Sequence, residues 1–63
     1  MTPKDVLALR KRTKLGRTGF AYLVGVDRIT VWRWEKKDGP GVDDLKGAGL
    51  RKVVEDYVSQ LRG

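Results

Sequence analysis

Apolar residues along this chain recur three and four apart, and nowhere alternate as a half-buried strand would require. Val6, Leu7 and Leu9 give the first stripe, flanked by Lys4, Lys11, Arg12 and Lys14. The spacing predicts a helix from Pro3 to about Lys14, with Thr2 as N-cap, Pro3 at the first helical position and Asp5 in the first turn. Leu15-Gly16 reads as its break. A second helix is predicted from Arg17 to Val24 with Phe20, Ala21, Leu23 and Val24 apolar, and a third from Arg28 to about Lys36. Lys37-Asp38-Gly39-Pro40-Gly41 reads as a loop. Beyond it, Asp43 and Asp44 can open a short helix over Val42 to Lys46, and Gly47-Ala48-Gly49 argues against its continuing. Leu50, Val53, Val54, Tyr57, Val58 and Leu61 then put one apolar stripe on a last helix. The expected fold is all-α, with four or five short helices in a single domain spanning residues 1–63.

The segment between the second and third helices is the most specific. Gly25 can take the left-handed conformation that ends a helix, Val26 can plug the corner, and Asp27 can cap the third helix. Ala21 is small enough to let another helix cross closely. This is a helix-turn-helix pattern over about residues 17–36, a motif whose second helix enters the DNA major groove.

Charge supports that direction. Residues 1–37 hold ten Lys/Arg against three acids, a net of +7, whereas residues 38–63 hold four against five. A field this polarised favours a polyanionic partner, with an anionic membrane surface as the competing reading. No apolar run approaches the roughly 20 residues that span a bilayer, and the N-terminus lacks a signal-peptide core, so a cytoplasmic protein is expected. The sequence has no Cys and no His. That removes disulfides, the usual zinc sets and the commonest acid–base and nucleophilic groups; no enzyme activity, cofactor or small-molecule ligand is expected.

On the third helix Val31 and Trp34 share the face turned to the core, leaving Arg28, Ile29, Trp32, Arg33 and Lys36 on the other. Arg28 and Arg33 can each fork to a guanine or be simply solvated charges, and Ile29 can rest on a thymine methyl or be partly covered core. Thr30 is a donor to phosphate or base. Trp32 can stack on the sugar-phosphate, pack under Lys36 or the fourth helix, or meet a dimer partner. The N-terminus of the second helix offers free N–H groups, with Arg17 and Thr18 to add a charge and a hydroxyl, although Thr18 can also be simply a cap. Lys36 and Lys37, closing the third helix, are further phosphate contacts and also complement its dipole. The candidate DNA-binding set is therefore Arg17, Thr18, Arg28, Ile29, Thr30, Trp32, Arg33, Lys36 and Lys37.

Arg10, Leu15, Phe20-Ala21, Gly25-Val26, Val31 and Trp34-Glu35 together resemble the lambda-repressor-like, Cro/XRE class of phage and bacterial DNA-binding domains. The resemblance implies a sequence-specific transcription regulator, a small Cro-type repressor acting as a homodimer on a near-palindromic DNA operator. It implies that Arg17 stands where such proteins often carry a glutamine that touches phosphate or base, and that Arg28, Ile29 and Arg33 read bases. It also implies an ion pair between Arg10 and Glu35 that ties the first helix to the third. Gly16-Arg17 and Gly19 depart from the usual pattern, and the loop after Glu35 is compact and glycine-rich. The competing function is an interaction module, such as an antitoxin, whose last helix docks on a toxin or partner.

Overall fold

The computed structural model describes residues 1–62, and among them the chain is all-helical. Its four helices are α1 (Pro3–Thr13), α2 (Arg17–Val24), α3 (Arg28–Glu35) and α4 (Asp44–Arg62). The start of α1 follows the local chemistry of its sequence. Thr2 Oγ1 accepts from the Asp5 amide at 3.2 Å, and the Asp5 carboxylate accepts from the Thr2 amide at 3.0 Å. This reciprocal capping box satisfies two orphan amides and holds the Asp5 carboxyl below its ordinary range. The helix stops at Thr13, one residue before the predicted end, because Lys14 turns left-handed at φ 61° and its amide returns to the Lys11 carbonyl.

At the end of α2, Gly25 adopts φ 81°, and the amides of Gly25 and Val26 both donate to the Ala21 carbonyl at 2.9 Å. The Schellman-type turn reverses the chain, and Val26 packs against the core as the corner plug. Asp27 Oδ1 then accepts from the Thr30 amide at 2.7 Å, opening α3 and lowering the carboxyl's pKa. Every local feature predicted for this corner is present.

The core joins all four helices and one loop residue. Val6 and Leu9 meet Phe20 and Ala21, Val31 and Trp34, Val42, and Leu50 and Val54. Phe20, Val6, Val31 and Val54 are fully buried, each contributing about 1.5–3 kcal/mol relative to exposure. Thr13 is buried too; its hydroxyl donates to the Arg10 carbonyl at 2.6 Å and accepts from the Leu15 amide at 3.2 Å.

The second half of the chain differs from expectation. Instead of a short helix over Val42 to Lys46 and a separate one after Gly49, one helix of 19 residues runs through Gly47-Ala48-Gly49. Asp43 caps it, its Oδ1 accepting from the Lys46 amide at 2.7 Å. Val42 is not helical: it is buried, and its amide and carbonyl both bond to Met1, at 2.9 and 2.7 Å. Gly41 lies beside that bridge at φ 69°, where a Cβ would collide with the Met1 carbonyl. Gly47 is buried under the Met1 side chain. Two interior glycines weaken a helix by roughly 1 kcal/mol each. Burial of Leu50 and Val54, in register with the cap at Asp43, outweighs them.

Candidate nucleic-acid interface

Rigid placement of α3 comes from its buried side. Val31 has no exposed surface and Trp34 only 8%, so the opposite face has a fixed orientation relative to α1 and α2. On that face Arg28 and Arg33 are exposed, Ile29 is 57% exposed and Trp32 48%. Long cations and apolar surface thus alternate along one solvent-facing stripe.

Gly16 caps α2 with an extended backbone and no side-chain acceptor, and the first intrahelical bond is from the Phe20 amide to the Gly16 carbonyl. The amides of Arg17, Thr18 and Gly19 accordingly have no acceptor within the helix. Thr18 sits at the second helical position rather than at the cap. Between this helix end and α3 lies an open cleft of about 630 Å³. Arg17 and Thr18 line one wall, Arg28, Ile29 and Trp32 the other, with Arg10 and Gly16 at the base. Five of the nine predicted residues therefore share one cleft, and its charged side chains are all cationic.

The other four are placed differently. Arg33 lies on the same exposed face outside the cleft lining, close enough to help hold the Asp27 carboxyl below its ordinary range, after the dominant bond from Thr30. Thr30 is half-buried, its amide committed to Asp27. Lys36 follows α3 rather than closing it: the helix ends at Glu35, and Lys36 is extended at φ −60°, ψ 129°. Its ammonium lies 5.7 Å from the centre of the Trp32 ring, a cation–π contact that covers part of this aromatic. Lys37 also falls outside α3, and lines a different groove with Thr2, Pro3, Lys4 and Leu7 on the α1 side.

Behind the cleft is a charged knot. Arg10 donates from Nε to Glu35 Oε2 at 2.6 Å and from Nη2 to Oε1 at 3.2 Å, and Nη1 donates to the Leu15 carbonyl at 3.1 Å. The expected ion pair between α1 and α3 is present, with the Glu35 side chain 4% exposed. Arg17 adds a contact that nothing in the sequence signals: its Nε donates to Glu35 Oε1 at 3.3 Å. Glu35 and Arg17 are 18 residues apart on different helices, and no periodicity or local motif links such a pair.

No helix among the described residues is long and apolar enough to cross a membrane. No family model matches the chain, and no curated protein or solved structure shows significant similarity to it.

Proposed function

We infer that the chain binds double-stranded DNA sequence-specifically as a transcription regulator, a small Cro-type repressor of the lambda-repressor-like kind. In this reading α2 and α3 form a helix-turn-helix: the N-terminus of α2 meets the phosphate backbone and α3 enters the major groove. The observation that carries it is the single cleft shared by the open α2 N-terminus and the Arg28, Ile29 and Trp32 face of α3. Free amides and cations suit a phosphate on one wall. Forked donors and an apolar side chain suit base edges on the other, each bidentate arginine contributing about 1–3 kcal/mol of discrimination. The net charge of +6 adds the long-range attraction.

Selection of bound sequences from random duplex DNA at moderate salt tests this directly. A near-palindromic consensus with half-sites about one turn apart is expected, and a flat result would refute it. Arg28→Ala and Arg33→Ala should then reduce preference for the selected sequence while retaining much of the affinity for unrelated duplex. Equal loss on both would reduce these arginines to phosphate contacts.

The homodimer in this proposal draws on α4. Leu50 and Val54 are buried, but Val53 is 37% exposed and Leu61 63%, so the stripe extends past the core. The same surface supports the second reading, an antitoxin-like module that docks on a partner protein. Sedimentation of the isolated chain separates them: self-association at micromolar concentration favours the dimer, a monomer with and without DNA the partner.

A further inference from the structure

Resting on the DNA-binding reading, we propose that Glu35 is a positioning residue for Arg17, holding its guanidinium ready for a phosphate at the cleft. Glu35 is built for such a role. Its carboxylate is almost wholly removed from water, fixed at both oxygens by Arg10, and anchored at the end of α3 beside buried Trp34. Arg17 is the opposite: its side chain is 53% exposed, at the first position of α2, and lines the cleft. The single bond from Nε to Oε1 pins Arg17 by the inner edge of its guanidinium. Both terminal nitrogens remain as a fork for an anion, the geometry in which arginine meets phosphate.

The electrostatics favour holding rather than sequestering. Glu35 carries one negative charge against the two positive charges of Arg10 and Arg17, so the knot keeps a net cation at its exposed end. A phosphate arriving beside Thr18 meets a donor whose long side chain is already ordered. Lysine at position 17 could not reproduce this, because one ammonium cannot hold Glu35 along an inner edge and offer a planar fork outward. The device also gives Glu35 two separable tasks, one towards Arg10 and the fold, one towards Arg17 and the ligand.

Fluorescence-anisotropy titrations against the selected duplex, with Arg17→Ala, Arg17→Lys, Glu35→Gln and the Arg17→Ala/Glu35→Gln pair, test the proposal. Removing the ordering of one long side chain should weaken binding about 3- to 10-fold. Glu35→Gln should show that loss with Arg17 present and under about twofold in the Arg17→Ala background. Equal losses in both backgrounds would overturn the proposal, leaving Glu35 a purely structural partner of Arg10. Because Glu35→Gln can fail to fold, Arg17→Lys provides the second arm. It should lose affinity while keeping the wild-type salt slope, whereas Arg17→Ala should lower that slope by about 0.9. Lysine binding as well as arginine would overturn the proposal. NMR of the DNA-free protein adds a readout independent of DNA: the Arg17 Nε–H should exchange with water more slowly than that of Arg28. Equal exchange overturns the positioning role alone. A wild-type chain that binds no duplex overturns the DNA reading, and the proposal with it.

Discussion

Arg10→Met should be among the most damaging single changes in this chain, although position 10 is not part of the hydrophobic core. The side chain makes three charge-assisted hydrogen bonds, two to Glu35 and one to the Leu15 carbonyl. Methionine fills much of the volume but donates nothing. The Glu35 side chain, 4% exposed, would be left with Arg17 at 3.3 Å as its one cationic partner. Breaking a buried pair from one side costs about 3–5 kcal/mol, and the remaining Arg17 contact argues for the lower end, about 3 kcal/mol. A domain of this length has a total stability of about 3–9 kcal/mol, so the variant should retain only about 0–6 kcal/mol. At about 4–8 °C per kcal/mol, the melting temperature should fall by about 12–24 °C. Thermal and urea denaturation followed by circular dichroism at neutral pH measure both. The decisive comparison is Arg10→Met/Glu35→Leu, which removes the charge together with its partner and should recover most of the loss. A single-variant cost below about 1 kcal/mol would mean that Glu35 finds water in place of Arg10. A double variant no better than the single would mean that Glu35 is not a stranded charge at all. Either result refutes the reasoning.

Two glycines should respond oppositely to alanine. Gly25→Ala meets no steric obstacle but must hold φ 81°, so it should lose about 1–2 kcal/mol in urea denaturation. Gly49→Ala lies in open space within α4 and should gain about 0.5–1 kcal/mol in the same assay. Acid should weaken the fold through the helix caps. The Asp5 and Asp27 carboxyls sit below their ordinary range because backbone amides donate to them, so their contribution is present above the unfolded-state pKa and lost as pH falls through the folded one. Melting temperature should therefore hold from neutrality to about pH 5 and drop below about pH 4, more shallowly in Asp27→Asn, which keeps a capping oxygen without its titration.

The parts of the fold legible in the sequence are those settled within a few residues. Thr2, Pro3 and Asp5 specify the start of α1 by hydrogen bonds that span three positions. Gly25, Val26 and Asp27 specify the corner between α2 and α3 in the same way, and both helices begin where the sequence places them. Legibility ends where long-range packing overrides local preference. The glycines at 47 and 49 read as a break, but Gly47 lies under the Met1 side chain, and the backbone bridge between Met1 and Val42 sets where α4 begins. Those partners are 41 residues apart, and nothing near position 47 signals them. Likewise Lys14, a residue with no special tolerance of positive φ, ends α1 in place of Leu15-Gly16.

The candidate site divides along the same line. Which residues of α3 face outward follows from helical period alone, once Val31 and Trp34 are assigned inward. That period places nothing beyond the helix end, and Lys37, expected as a phosphate contact closing α3, instead follows the helix and lines the groove on the α1 side. It also cannot say what a cationic side chain does before a ligand arrives. Arg17 and Arg28 look equivalent in sequence, as exposed arginines at the first position of their helices. Folding makes them different: Arg17 is tied by Nε to a buried carboxylate that also ties α1 to α3, and Arg28 has no such tether among the described residues. The consequence is that position 17 cannot be altered for recognition alone. A substitution there also changes the neighbours of a carboxylate on which the fold depends, and variation at Arg28 and Ile29 carries no such burden. On the proposed DNA-binding reading, recognition is therefore most freely re-specified from α3, while the α2 end is bound to the architecture through Glu35.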